Sequence, residues 1–117
     1  YRNIEVTIDE QDIFNVTINE SLAVALLTNL LKNAFVHNID GGHIRITVTK
    51  NSITFRNSGV KNPLDKEHIF ERFYQGTKKE GSTGLGLAIA DSICRLQHLS
   101  IRYYFEQKEH CFEISRQ

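Results

Sequence analysis

Asn29 and Asn33 stand four residues apart in NLLKNA (29–34), and a glycine-dense run, GSTGLGL, fills 81–87. If the first stretch is helical, both carboxamides lie on one face, flanking an apolar stripe, with Val36 and His37 continuing that flank. Such a pair is either two helix-surface amides or a set of polar groups aimed at a ligand. The glycine run leads into AIADSICRLQ, a helix-forming segment. Gly81, Gly84 and Gly86, with Thr83, Leu85 and Leu87 between and after them, then present backbone N–H groups at a helix N-terminus, a setting suited to phosphate. A mobile loop before an ordinary helix is the plainer alternative. No Gly-Lys-Ser/Thr follows, so the run is not a Walker loop. No strand of a βαβ unit precedes it, so it is not a dinucleotide-binding turn.

The elements that must position these groups follow from patterning. Residues 4–9 alternate as a strand, and a short second strand is expected at 15–18. Asn19 can cap a helix running to about Val36 or His37, with Ala23, Leu27, Leu30, Leu31 and Ala34 as its apolar stripe. IDGG breaks that helix. Residues 43–57 read as a hairpin turning at Asn51-Ser52. On its return strand Ile53, Phe55 and Asn57 share a face, so Asn57 points the way two core residues point. Asn62-Pro63 resembles a helix start, predicting a short helix to about Phe70. Residues 74–83 lack periodicity and read as a mobile loop. A helix over about 84–97 and a hairpin of strands near 99–106 and 110–116, joined by QKEH, complete the chain. The order predicts an α+β fold: a two-layer sandwich of one mixed sheet with helices on one face.

Composition sets bounds. The 117 residues suffice for one domain. Fourteen basic and fourteen acidic residues cancel, so no general field draws nucleic acid or anionic membrane. No apolar run reaches the ~20 residues of a membrane span. Cys94 and Cys111 form no C-x-x-C pair, and two free buried thiols point weakly to the cytoplasm. The chain starts at Tyr1, so a piece of a longer protein is expected.

NLLKNA (29–34), RNSG (56–59), IFERF (69–73) and GSTGLGLAI (81–89) occur in that order. Together they resemble the N, G1, F and G2 boxes of the catalytic ATP-binding domain of sensor histidine kinases of two-component systems. The resemblance runs from about Ser21 to Leu96 and implies the Bergerat fold shared with type II topoisomerase and mismatch-repair ATPases. It also implies ATP and Mg²⁺ as ligands. By the resemblance, Asn33 matches the magnesium-ligating asparagine, and Asn29 the first asparagine of the N box, near the phosphates. Asn57 and Gly59 match the box that meets adenine. Phe70 and Phe73 match the aromatic box, with Arg72 between them as a basic group and Tyr74 just after. The resemblance assigns Gly81, Gly84 and Gly86 to the phosphates and the hinges of a lid over 74–83. His37 stands where the family often has His or Tyr.

Three positions depart from the family's pattern. Asn57 replaces a usual aspartate, VKN (60–62) lacks a second glycine, and Val36 replaces a frequent phosphate-reaching lysine. These bear on nucleotide affinity more than on fold. Lys32, Lys78, Lys79 and Arg72 are candidates to compensate, or are surface charges. An asparagine can offer adenine its oxygen or guanine its NH₂, so Asn57 is expected to discriminate the bases weakly unless neighbours fix its amide.

Related ATPases carry a glutamate general base where this chain has Asn29, and an amide cannot take a proton at neutral pH. Transfer to a ready nucleophile, such as a neutral imidazole, fits better than hydrolysis. The family's phosphoacceptor histidine precedes an acidic residue and Thr-Pro or Asn-Pro. None of the five histidines has that context, and His43, His68, His98 and His110 read as surface or packing residues. The resemblance therefore implies a dimerisation and phosphoacceptor domain on the same or a partner chain, a response regulator downstream, no nucleic-acid partner and a monomeric fragment. It also implies a cytoplasmic position in a membrane-anchored parent. An anti-sigma-type serine kinase and a degenerate binding module stand as alternatives.

Overall fold

The computed structural model describes residues 3–74 and 84–117. These residues form five strands and two helices: β1 (Glu5–Glu10), α1 (Glu20–Val36), β2 (His43–Val48), β3 (Ser52–Asn57), α2 (Gly86–Leu96), β4 (Leu99–Glu106) and β5 (Glu109–Arg116). The strands form one mixed sheet in the order β1-β2-β3-β5-β4. β1 runs parallel to β2, joined by the α1 crossover, and the remaining pairs are antiparallel. This is the α+β sandwich expected from the patterning.

Alternation divides the sheet into two chemistries. One face carries Ile46, Phe55, Phe112 and Tyr103 in register across four strands. Leu26 and Leu30 of α1 and Ala90, Ile93 and Cys94 of α2 bury against that layer. The opposite face is polar and self-paired: Glu109 takes Arg45 at 2.9 Å and His43 at 2.7 Å, and Arg102 meets Glu113 at 2.6 Å.

Asn19 caps α1 as expected, its Oδ1 accepting the Leu22 N–H at 3.1 Å. The buried stripe is Leu26, Leu30 and Ala34, while Leu27 is 40% exposed. Leu30 and Ala34 are buried as expected and Leu31 packs on the core, whereas Leu26 takes the place expected for Leu27. Residues 15–18 form no ladder. Val16 and Ile18 still pack on the core, but 15–18 belongs to none of the sheet's strands. Residues 62–70 are a run of turns rather than an α-helix. Asp65 is the physical reason: its carboxylate takes the Glu67 N–H at 3.0 Å and the His68 ring at 2.6 Å, a local pairing that competes with helical bonding. The last hairpin turns on Gln107 and Lys108 alone, both at positive φ, so β5 begins at Glu109 and places His110 within the ladder. The loop expected over 74–83, with Gly81, Thr83, Lys78 and Lys79, lies outside the described residues apart from Tyr74.

Candidate nucleotide site

Asn29 and Asn33 occupy successive turns of α1, both half-buried. The Asn29 Nδ2 donates to the Ala25 carbonyl at 2.8 Å. Its Oδ1 faces Gly86, where an added Cβ would lie 3.2 Å away. The first turn of α2 thus rests against Asn29, joining the two stretches that sequence spacing singled out. α2 opens at Leu85 with no side-chain cap among the described residues. Leu87 packs on the core. Lys32 is exposed, and His37 closes α1.

The approach to α2 is fixed by a backbone clasp. The Phe73 N–H donates to the Gly84 carbonyl at 2.7 Å. Both residues have positive φ, 64° and 74°, a rare state for a phenylalanine. Arg72 is exposed, with its guanidinium 5.6 Å from the centre of the Phe73 ring. Phe70 turns inward instead, edge-on to Phe112 with ring centres 6.2 Å apart. Tyr74 lies 6.3 Å from the His68 ring.

At the end of β3, Asn57 is 2% exposed and faces the helix layer. Its Nδ2 donates to the Ser58 carbonyl at 2.7 Å. Reversing the amide would set two oxygens at that distance, so the orientation is fixed by its neighbour. The Oδ1 is buried and has no hydrogen-bond partner among the described residues. Buried polar atoms are nearly always paired, so this lone acceptor is suited to an incoming N–H donor such as an adenine amino group.

A polar cluster ties Ser58, the residue after Asn57, to Asn38 just past the end of α1. The Asn38 Nδ2 donates to the His43 carbonyl at 2.9 Å, and its Oδ1 accepts from the Ser58 hydroxyl. That hydroxyl accepts the His43 N–H at 2.9 Å. The cluster leaves no room for a Cβ at Gly42. Gly59 is held as closely: a Cβ there would sit 2.8 Å from the His37 carbonyl oxygen and 3.2 Å from His110. The match of a glycine at 59 to the adenine-facing box thus has a local steric reason.

Sequence reasoning overlooked Asn38, Ser58, Tyr103 and His110. His110 is buried and pairs in register with Asn57. Burial holds its pKa below the ordinary imidazole value, although the Val60 carbonyl works the other way. Its parity with Phe112 and Ile114 was the available signal, since all three share a face.

The profile of the histidine kinase-, DNA gyrase B-, and HSP90-like ATPases matches residues 18–115, and the chain belongs to that family. Within it, the chain is an ATP-binding catalytic domain of the sensor histidine kinase type, as found in two-component signalling. It is 43% identical over 84 residues to the sensor histidine kinase RppB of Synechocystis sp., a match covering 64% of this chain and 18% of that one. To the heme sensor protein HssS of Staphylococcus aureus it is 39% identical over 90 residues, 73% of this chain and 20% of the other. The chain thus spans about a fifth of the length of these relatives. The catalytic domain of histidine kinase ThkA superposes with a TM-score of 0.80 at 25% identity, covering 95% of this chain and 76% of that one. The mycobacterial sensor histidine kinase MprB shares the fold, with a TM-score of 0.78 at 20% identity over 97% and 83% of the two chains. No helix among the described residues is long and apolar enough to cross a membrane.

Proposed function

We propose that this chain binds Mg·ATP and donates the γ-phosphoryl group to a histidine on a separate dimerisation and phosphoacceptor domain, with a response regulator as the later acceptor. The observation that carries the reading is the buried Oδ1 of Asn57, unpartnered among the described residues. With its NH₂ committed to Ser58, this side chain acts as an acceptor only. It therefore receives the adenine amino group and opposes the keto oxygen of guanine.

Asn29 decides what kind of acceptor the phosphoryl group meets. Its Nδ2 is spent on Ala25 and its Oδ1 faces Gly86, so it supports no deprotonation of water. This favours an imidazole acceptor, and disfavours the serine kinase, whose hydroxyl needs a base. In the transfer the bond from the γ-phosphorus to the β-phosphate bridging oxygen breaks, a P–N bond forms, and ADP leaves. The start of α2 offers N–H groups to the phosphates. Arg72 is exposed beside the Phe73–Gly84 clasp and supplies positive charge there.

Mg²⁺, when bound, neutralises phosphate charge. The described residues hold no group of three or more His, Cys, Asp or Glu side chains suited to a metal. A cation that retains waters and takes phosphate oxygens needs only one or two protein oxygens, and the Asn33 carboxamide fits that demand. The cytoplasmic segment of histidine kinase QseC shares this fold, which supports a position on the cytoplasmic side of the membrane. A relative, ThkA, has been crystallised with a response regulator, which supports the downstream partner.

The deciding experiment incubates the chain with γ-labelled ATP, alone and with its helical phosphoacceptor domain. Acid-labile label on the added domain, and none on the chain, is expected. Stoichiometric label on the chain alone would overturn the reading.

A further inference from the structure

The imidazole of His110 has both nitrogens engaged. Nε2 lies 2.7 Å from the Val60 carbonyl oxygen, and Nδ1 lies 2.8 Å from the Tyr103 hydroxyl. A carbonyl only accepts, so Nε2 carries the proton. The Tyr103 oxygen already accepts the Leu64 N–H at 2.9 Å, so its own proton goes to Nδ1. The direction of every bond in this chain follows from its two ends. From the sheet, two side chains thus grip the segment after β3 at two points, Val60 and Leu64.

That segment folds back over the face that carries Asn57. Gly59 is wedged between the His37 carbonyl and the His110 ring, and His110 is the register neighbour of Asn57. The Asn57 Oδ1 itself is sealed from solvent. A base cannot touch an atom that water cannot touch. The site as described therefore holds the right acceptor in a closed state.

The geometry points to a latch: His110 and Tyr103 hold residues 59–64 down over Asn57, and nucleotide reaches the Asn57 oxygen only when that hold is released. The inference rests on the reading of Asn57 as the base acceptor. His110 and Tyr103 are positioning residues here, since they act through the backbone of Val60 and Leu64. The latch lowers apparent affinity by the fraction of molecules that are open. Weakening it raises affinity, the opposite of what loss of a merely structural contact does.

Tyr103→Phe removes one oxygen and with it both the Leu64 and the His110 bonds of the hydroxyl. ADP titration of the wild type, Tyr103→Phe and Asn57→Ala is the test. Tyr103→Phe is expected to bind roughly three- to tenfold tighter than wild type, the scale of a lost hydrogen bond, and Asn57→Ala to bind much more weakly. Equal or weaker binding by Tyr103→Phe overturns the latch while leaving the site intact. Wild-type affinity in Asn57→Ala overturns the base reading itself. Should Tyr103→Phe fold poorly, the wild type decides alone by imidazole ¹H–¹⁵N correlation. The Nε2–H signal of His110 is expected in the free protein and to shift or exchange away with saturating ADP. A signal unmoved by bound ADP overturns the latch.

Discussion

Phe73 and Gly84 are joined by a 2.7 Å backbone hydrogen bond, and both lie in the left-handed region. A Cβ on Gly84 would stand 2.7 Å from the Phe73 Cα and 2.8 Å from its carbonyl carbon. Backbone atoms cannot swing aside as a side-chain tip can. Gly84→Ala is therefore expected to cost about 2–3 kcal/mol, combining strain at positive φ with the clash. Gly41 is the control. Its φ is 76° and nothing lies within 4 Å of its Cβ position, so Gly41→Ala carries the strain alone, about 1 kcal/mol. Thermal melts of both variants check this. Equal losses would mean the clasp yields without cost.

Asn57→Asp separates base preference from stability. The carboxylate keeps an acceptor toward the base, so the ratio of ATP to GTP dissociation constants should change little. With its amide held by Ser58, Asn57 is expected to discriminate the bases much as an aspartate does. In the variant the 2.7 Å contact with the Ser58 carbonyl loses its proton and becomes repulsive. A stability loss of about 1–3 kcal/mol is expected. A sharpened nucleotide preference with unchanged stability would show that the amide rotates.

Asn33→Ala tests the metal assignment. Binding of ATP in the presence of Mg²⁺ should fall tenfold or more, on the order of one strong ligand contact. Binding in EDTA should change little. Equal losses in both conditions would make Asn33 a structural residue.

The buried imidazole makes stability depend on pH. The His110 pKa is lowered in the folded state, chiefly by burial. Its contribution is complete above the ordinary imidazole pKa of about 6.5 and is lost as pH falls through the folded value. His68 has the opposite sign, since Asp65 raises its pKa, and its contribution fades as pH rises. Denaturant stability of the wild type minus that of His110→Gln isolates the first effect. This difference should shrink from pH 7.5 to pH 5. A difference independent of pH would mean that His110 titrates normally.

Periodicity revealed the sheet, both helices and the inward aim of Asn57, because burial imposes a regular pattern on a chain. The contact between Asn29 and Gly86 was legible only as two separate hints, since spacing within a helix says nothing about which other helix it meets. The resemblance supplied that pairing. The 62–70 segment misled because Asn-Pro is a fair helix start, whereas Asp65 bonds to its own neighbours first. Gln107 and Lys108 hid the tight turn, which usually advertises itself with glycine or asparagine. With the turn on those two residues alone, the last strand begins at Glu109, one residue before the expected start at His110. The role of His110 depended on partners at Val60 and Tyr103, far away in sequence.

Cys94 and Cys111 are both almost fully buried, and burial pushes each thiol up to about 11. Neither reacts until its surroundings part, because the thiolate is the reactive form. Cys94 sits on the buried side of α2, whereas Cys111 lies on the charged side of the sheet, beside Arg56 at 3.8 Å. The protein thus carries two native chronometers, one for each side of its sheet. Their alkylation rates time the parting of the helices and the fraying of the ion-paired surface separately, without a foreign label.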